Sequence, residues 1–100
     1  EVIDLRSLRP LDMDTVIASV EKTHRLVTIE EGWPVCSVGG HIAATVQRLA
    51  FDALDAPIEV VNGVDVPMPY AANLEQLALP QVAQIVAAAK RAAYLTDAAE

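Results

Sequence analysis

Long apolar runs are missing from this sequence. Apolar runs such as Ile42-Ala43-Ala44 and Val86-Ala87-Ala88-Ala89 are soon broken by polar or charged residues, far short of the roughly 18 residues a bilayer-spanning helix needs. No membrane is expected as partner. Cysteine is nearly absent: Cys36 stands alone and has no internal disulfide partner, which suits a reducing compartment. His24, His41 and that single cysteine lack the spacing of a zinc site, so no metal ligand is expected. Basic residues are few. Seven Lys and Arg stand against fourteen Asp and Glu, giving a formal charge of −7, which repels a phosphate backbone and argues against nucleic acid as partner. The same charge keeps a protein dispersed and steers basic proteins towards it. No basic segment followed by a compact apolar stretch opens the chain, so no secretory signal is expected.

What is present is enough apolar content for one buried core, 53% against 21% charged. Val2–Leu5 is short, apolar and partly β-branched and predicts a strand, followed by a turn closed by Pro10. From Asp12 the period changes. Met13, Val16, Ile17 and Val20 fall at helical spacing, behind an N-cap at Asp12 and ahead of Lys22, His24 and Arg25, whose charges suit a helix C-terminus. Leu26–Ile29 predicts a second strand, ended by Glu30-Glu31-Gly32. A second helix starts from a cap at Ser37, lines one face with Ile42, Val46, Leu49, Ala50 and Ala53, and stops at Asp55-Ala56-Pro57. Ile58–Val61 predicts a third strand, turned off by Asn62-Gly63. The following stretch is too rich in proline for a regular ladder. Pro80 suits the first turn of a last helix, with Val82, Ile85, Val86, Ala89 and Ala93 on its apolar face opposite Gln84, Lys90 and Arg91. The alternation predicts an α/β fold, a three-layer α/β/α arrangement with a mostly parallel sheet and right-handed crossovers. Such a sheet hosts many unrelated activities.

Candidate chemistry is thin. Glu30 and Glu31 stand at the carboxyl end of a strand, where open α/β sheets place ligands, and they read either as an acid–base pair or as a solvated strand end. Cys36 and His41 are close enough in sequence to form a nucleophile and its base. No third orienting group is evident, and a small buried thiol is the expectation. Val38-Gly39-Gly40-His41 at a helix start suits either an anion-cradling turn or close packing of helix on sheet. Trp33-Pro34 reads as an interface anchor or a lid over the core. In Asp65-Val66-Pro67-Met68-Pro69-Tyr70, two prolines fix the backbone while Met68 and Tyr70 offer contact surface. That stretch suits a subunit contact, or else a connector packed on its own domain.

Four segments carry a resemblance: Asp4-Leu5-Arg6-Ser7-Leu8-Arg9-Pro10-Leu11-Asp12, Glu30-Glu31-Gly32-Trp33-Pro34, Leu54-Asp55-Ala56-Pro57 and Asp65-Val66-Pro67-Met68-Pro69-Tyr70-Ala71. Taken in this order, they resemble the C-terminal domain of the beta subunit of the pyruvate dehydrogenase decarboxylating component, in the wider transketolase C-terminal domain group. The likeness runs from about residue 1 to residue 94. It implies a domain over residues 1–95 with a tail at 96–100, and a sheet lacking its first strands, one of which would lie between Val2–Leu5 and Leu26–Glu30. It implies a parent enzyme that uses thiamine diphosphate and magnesium to decarboxylate pyruvate and reductively acetylate lipoyl groups. The family holds that cofactor elsewhere, so this chain is expected to bind none and to carry no catalytic residue. The implied partners are an alpha subunit, a second beta subunit and the peripheral subunit-binding domain of the dihydrolipoyl acetyltransferase. Asp55, Asp65, Met68 and Tyr70 are the expected partner-binding residues. The resemblance places the parent in the cytoplasm of a bacterium or in the mitochondrial matrix of a eukaryote. A related 2-oxo acid dehydrogenase, another transketolase-like enzyme or a small independent α/β enzyme is the alternative.

Overall fold

The computed structural model describes residues 1–95, and the expected tail at 96–100 lies outside the described residues. Helix α1 (Met13–Thr23) is followed by strand β1 (Val27–Ile29), helix α2 (Val38–Ala50) with a short 3₁₀ turn at Phe51–Ala53, strand β2 (Glu59–Val61), helix α3 (Ala72–Ala78) and helix α4 (Val82–Ala92).

Both long N-terminal helices begin where their caps stand in the sequence. Asp12 accepts from the Thr15 N–H at 3.1 Å and the Thr15 hydroxyl at 2.6 Å, and Ser37 accepts from the Gly40 N–H at 2.9 Å. Helix α1 ends at His24, whose φ of 65° is left-handed and whose N–H donates back to Val20 O at 2.7 Å. Val16 and Val20 of α1 pack with Ile42, Val46 and Ala50 of α2 to form the core cluster, with Leu11, Leu26 and Ile58 around it.

β1 and β2 pair in parallel, with Val27 opposite Glu59, Thr28 opposite Val60 and Ile29 opposite Val61. Side chains alternate between faces along a strand. Thr28 meets α2 at Gly39, whereas Glu59 accepts from the guanidinium of Arg91 in α4 at 3.1 Å. Helices α2 and α4 therefore cover opposite faces, and the layering is helix, sheet, helix as expected.

The structure corrects several expectations. Val2–Leu5 forms no strand: it pairs with nothing, Val2 is fully exposed, and the sheet among the described residues has two strands. Between residues 1–8 and the outer edge of β1 lies a cleft of about 910 Å³, lined by Val2, Ile3, Leu5, Val27 and Ile29 among others. The cleft lies where the resemblance placed a missing strand. In α2 the buried face is Ile42, Val46 and Ala50, while Leu49 is exposed and Ala53 falls in the 3₁₀ turn. Helix α3 occupies a stretch expected to be irregular. Helix α4 starts at Val82 rather than at Pro80, with the Gln81 N–H donating to Gln84 Oε1 at 2.7 Å. It packs through Ala88 and Ala92, leaving Val82, Val86 and Ala89 exposed.

Candidate partner-binding surfaces

At the carboxyl end of the sheet, one of the two glutamates that the sequence offers for chemistry is tied to its neighbours. Glu30 Oε1 accepts from the Gly39 N–H at 2.8 Å and from Asn62 Nδ2 at 3.2 Å. It thus joins β1 to the start of α2 and the end of β2, and a carboxylate suits that helix N-terminus. A Cβ on Gly39 would stand 2.6 Å from Thr28 Oγ1 and 3.0 Å from Glu30 Oε1, so close helix–sheet packing explains this glycine. Gly63 donates to Gly32 O at 3.1 Å, and a Cβ there would run into the carbonyl oxygen of Glu31. Of the two glutamates only Glu31 is an exposed strand end; Glu30 is half-buried and engaged.

The remaining chemical candidates stay apart. Cys36 is exposed, contrary to the buried thiol expected, because it lies in the turn ahead of the Ser37 cap with a left-handed φ of 58°. His41 is exposed too, and no hydrogen bond joins it to Cys36 among the described residues. The start of α2 does not fit the diphosphate of a cofactor: its Gly39 and Gly40 N–H groups are taken by Glu30 and Ser37, and Glu30 presents a negative charge there. Nor do the described residues bring together three side chains of His, Cys, Asp or Glu suited to holding magnesium. No helix among them is long and apolar enough to cross a membrane.

The four expected contact residues are all exposed but fall on two surfaces. Asp65, Met68 and Tyr70 follow β2, and the loop is anchored by Trp33, whose indole N–H donates to Val66 O at 2.9 Å, and by Val64, whose N–H donates to Ala78 O at 2.9 Å. Trp33 is thus a tether for this loop, half open to solvent. Tyr70 is wholly exposed, and Leu77 of the missed helix α3 is 73% exposed, so the loop and α3 offer apolar side chains to solvent. Asp55 precedes β2 and so lies at the opposite end of the sheet. Its N–H donates to His24 O at 2.9 Å and its carbonyl accepts from the Tyr94 hydroxyl at 3.2 Å. The His24 ring meets Ala53 O through Nδ1 at 2.8 Å. The Asp55 carboxylate itself has no hydrogen-bond or ion-pair partner among the described residues. His24 and Tyr94 were not legible as neighbours of Asp55; the signal available, a histidine at a helix end, pointed only to the dipole.

The family described as transketolase, C-terminal domain, matches residues 1–85. The chain is 63% identical over 94 residues to the pyruvate dehydrogenase E1 component subunit beta of Rhizobium meliloti (strain 1021), spanning 94% of this chain and 20% of that relative. It is 58% identical over 95 residues to the subunit of the same name from Rickettsia bellii (strain RML369-C), spanning 95% and 29%. With the mitochondrial subunit beta-1 of Oryza sativa subsp. japonica the identity is 62% over 94 residues, spanning 94% and 25%. The chain therefore spans between a fifth and a third of the length of these curated relatives. With the family match running through α1, the sheet, α2, α3 and into α4, this chain belongs to the transketolase C-terminal domain family.

Proposed function

We infer that this domain serves assembly in the beta subunit of a pyruvate dehydrogenase decarboxylating component and contributes contacts rather than catalytic groups. The parent would decarboxylate pyruvate and reductively acetylate lipoyl groups with thiamine diphosphate and magnesium held outside this chain. The observation that carries the reading is 63% identity over 94 residues to a subunit of that name. It is supported by a sheet end where Glu30 is already engaged by Gly39 and Asn62, while the apolar groups of the next loop face solvent. The loop with Asp65, Met68 and Tyr70 is assigned to the alpha subunit or the second beta subunit. Asp55, at the other end, is assigned to the basic peripheral subunit-binding domain of the acetyltransferase. The relatives include bacterial and mitochondrial proteins, so the parent would work in the bacterial cytoplasm or the mitochondrial matrix. An independent enzyme built on Glu30, Glu31 and His41 loses its footing, because Glu30 is committed to Gly39 and Asn62.

Asp55→Asn, in the full-length subunit assembled with its alpha partner, tests the reading by surface plasmon resonance against the isolated binding domain. A carboxylate paired with arginine at a desolvated contact loses on the order of 2–5 kcal/mol, mostly as faster dissociation. A rim contact would lose less than about 1 kcal/mol, and that loss would vanish at high salt. Unchanged rates at both salts would remove Asp55 from the interface.

A further inference from the structure

We propose that His24 and Tyr94 are positioning residues that clamp the Ala53–Asp55 turn and so fix where the Asp55 carboxylate points; this rests on the reading of Asp55 as a contact to a basic partner. The clamp closes from two helices. From the end of α1, the His24 carbonyl accepts the Asp55 N–H at 2.9 Å and the His24 ring bonds Ala53 O at 2.8 Å. A carbonyl can only accept, so Nδ1 carries the proton in this bond. From beyond α4, the Tyr94 hydroxyl donates to Asp55 O at 3.2 Å. Both backbone polar groups of Asp55 are thereby held, and its carboxylate alone is left to meet a partner. His24 adopts a φ of 65°, a conformation that is strained for a residue with a Cβ and free for glycine. That strain is the reason glycine would be the ordinary choice at this helix end, and the ring's bond to Ala53 is what glycine could not make.

Fixing the turn in advance removes ordering from the binding step, so loosening it should speed dissociation without changing charge-steered association. The experiment is surface plasmon resonance of the full-length, alpha-assembled subunit against the isolated basic subunit-binding domain. The variants compared are His24→Gly, His24→Asn, Tyr94→Phe, Asp55→Asn and the double variant of His24→Gly with Asp55→Asn. His24→Gly keeps the backbone conformation and deletes the ring. His24→Asn tolerates left-handed φ and restores an N–H donor close to the Nδ1 position. Dissociation is expected to rise roughly 3- to 10-fold in His24→Gly and in Tyr94→Phe, the scale of one neutral hydrogen bond, and to return within about 2-fold of wild type in His24→Asn. Adding His24→Gly to Asp55→Asn should then change nothing further. If Asp55→Asn weakens binding while His24→Gly and Tyr94→Phe dissociate like wild type, the clamp is overturned and the contact stands. A lack of rescue by His24→Asn, or an equal effect of His24→Gly with and without Asp55→Asn, also overturns it. If Asp55→Asn itself binds like wild type, the contact fails and the clamp with it. Should His24→Gly not assemble, Tyr94→Phe, which removes one hydroxyl, makes the same comparison.

Discussion

Glu30 Oε1 is shared by two donors from different elements, the Gly39 N–H and Asn62 Nδ2, whereas the adjacent Glu31 is exposed. Removing an acceptor that leaves half-buried donors unpaired costs more than trimming a solvated side chain. Glu30→Ala should therefore lower stability by about 2–3 kcal/mol, and Glu31→Ala by no more than about 0.5 kcal/mol. Denaturant midpoints of the two variants check this, and equal losses would show that Glu30 braces nothing. Asp12 responds to pH instead. The Thr15 hydroxyl, and then the Thr15 N–H, hold its carboxyl below the usual carboxylate value. A depressed folded pKa means that the cap stabilises above the unfolded value of about 3.9 and is lost as pH falls through the folded value. The stability gap between wild type and Asp12→Ala should be full at neutral pH and close below about pH 4, as followed by thermal melts across that range.

Helices α1 and α2 were readable because a side-chain cap and an apolar stripe point to the same boundaries, Asp12 with Val16 and Val20, Ser37 with Ile42 and Val46. Helix α4 was readable as a helix but not in its rotation. Alanine reads as apolar on every side, so Val82, Val86 and Ala89 were as good a stripe as Ala88 and Ala92; the sheet takes the small residues because they let the helix lie close. Ala88→Leu should accordingly cost about 1–3 kcal/mol through overpacking, while Val82→Ala, at a side chain 76% exposed, should change stability by less than about 0.5 kcal/mol. A reversal of that order would put the other face inwards. Helix α3 was hidden by the prolines before and after it, although Asn73-Leu74-Glu75-Gln76-Leu77-Ala78 is rich in helix formers. The Val2–Leu5 strand failed for another reason: strand preference becomes a strand only where a neighbour supplies the ladder. The separation of the candidate contacts was legible in principle, since the strand between Asp55 and Asp65 sends them to opposite ends of the sheet. The hydrogen bonds of His24 and Tyr94 to the Asp55 turn were not, because they join residues 29 and 39 positions apart.

The molecule is a slab, 43 × 41 × 20 Å, with a radius of gyration of 14.5 Å, above the roughly 13 Å typical of 100 residues. Its buried apolar residues are small, all valine or alanine apart from Ile42, while Ile29 and Leu8 remain more than half exposed. An open strand edge beside an apolar cleft is a surface another chain can cover. The isolated chain is expected to associate at micromolar concentration, seen in sedimentation as a mass that grows with loading. A stable monomer with a cooperative melt would overturn this.

The open edge of β1 also leaves an alternating signature. Leu26 O accepts from Glu59 and the Glu30 N–H donates to Val61, so Leu26, Thr28 and Glu30 direct their backbone groups at β2. Val27 and Ile29, one residue out of phase, direct theirs into the cleft. In deuterated solvent the amides of Val27 and Ile29 should therefore exchange quickly while Thr28 and Glu30 between and beside them stay slow. Any strand that settles beside β1 would slow those two amides first, so the pair reports, residue by residue, whether the sheet has been completed.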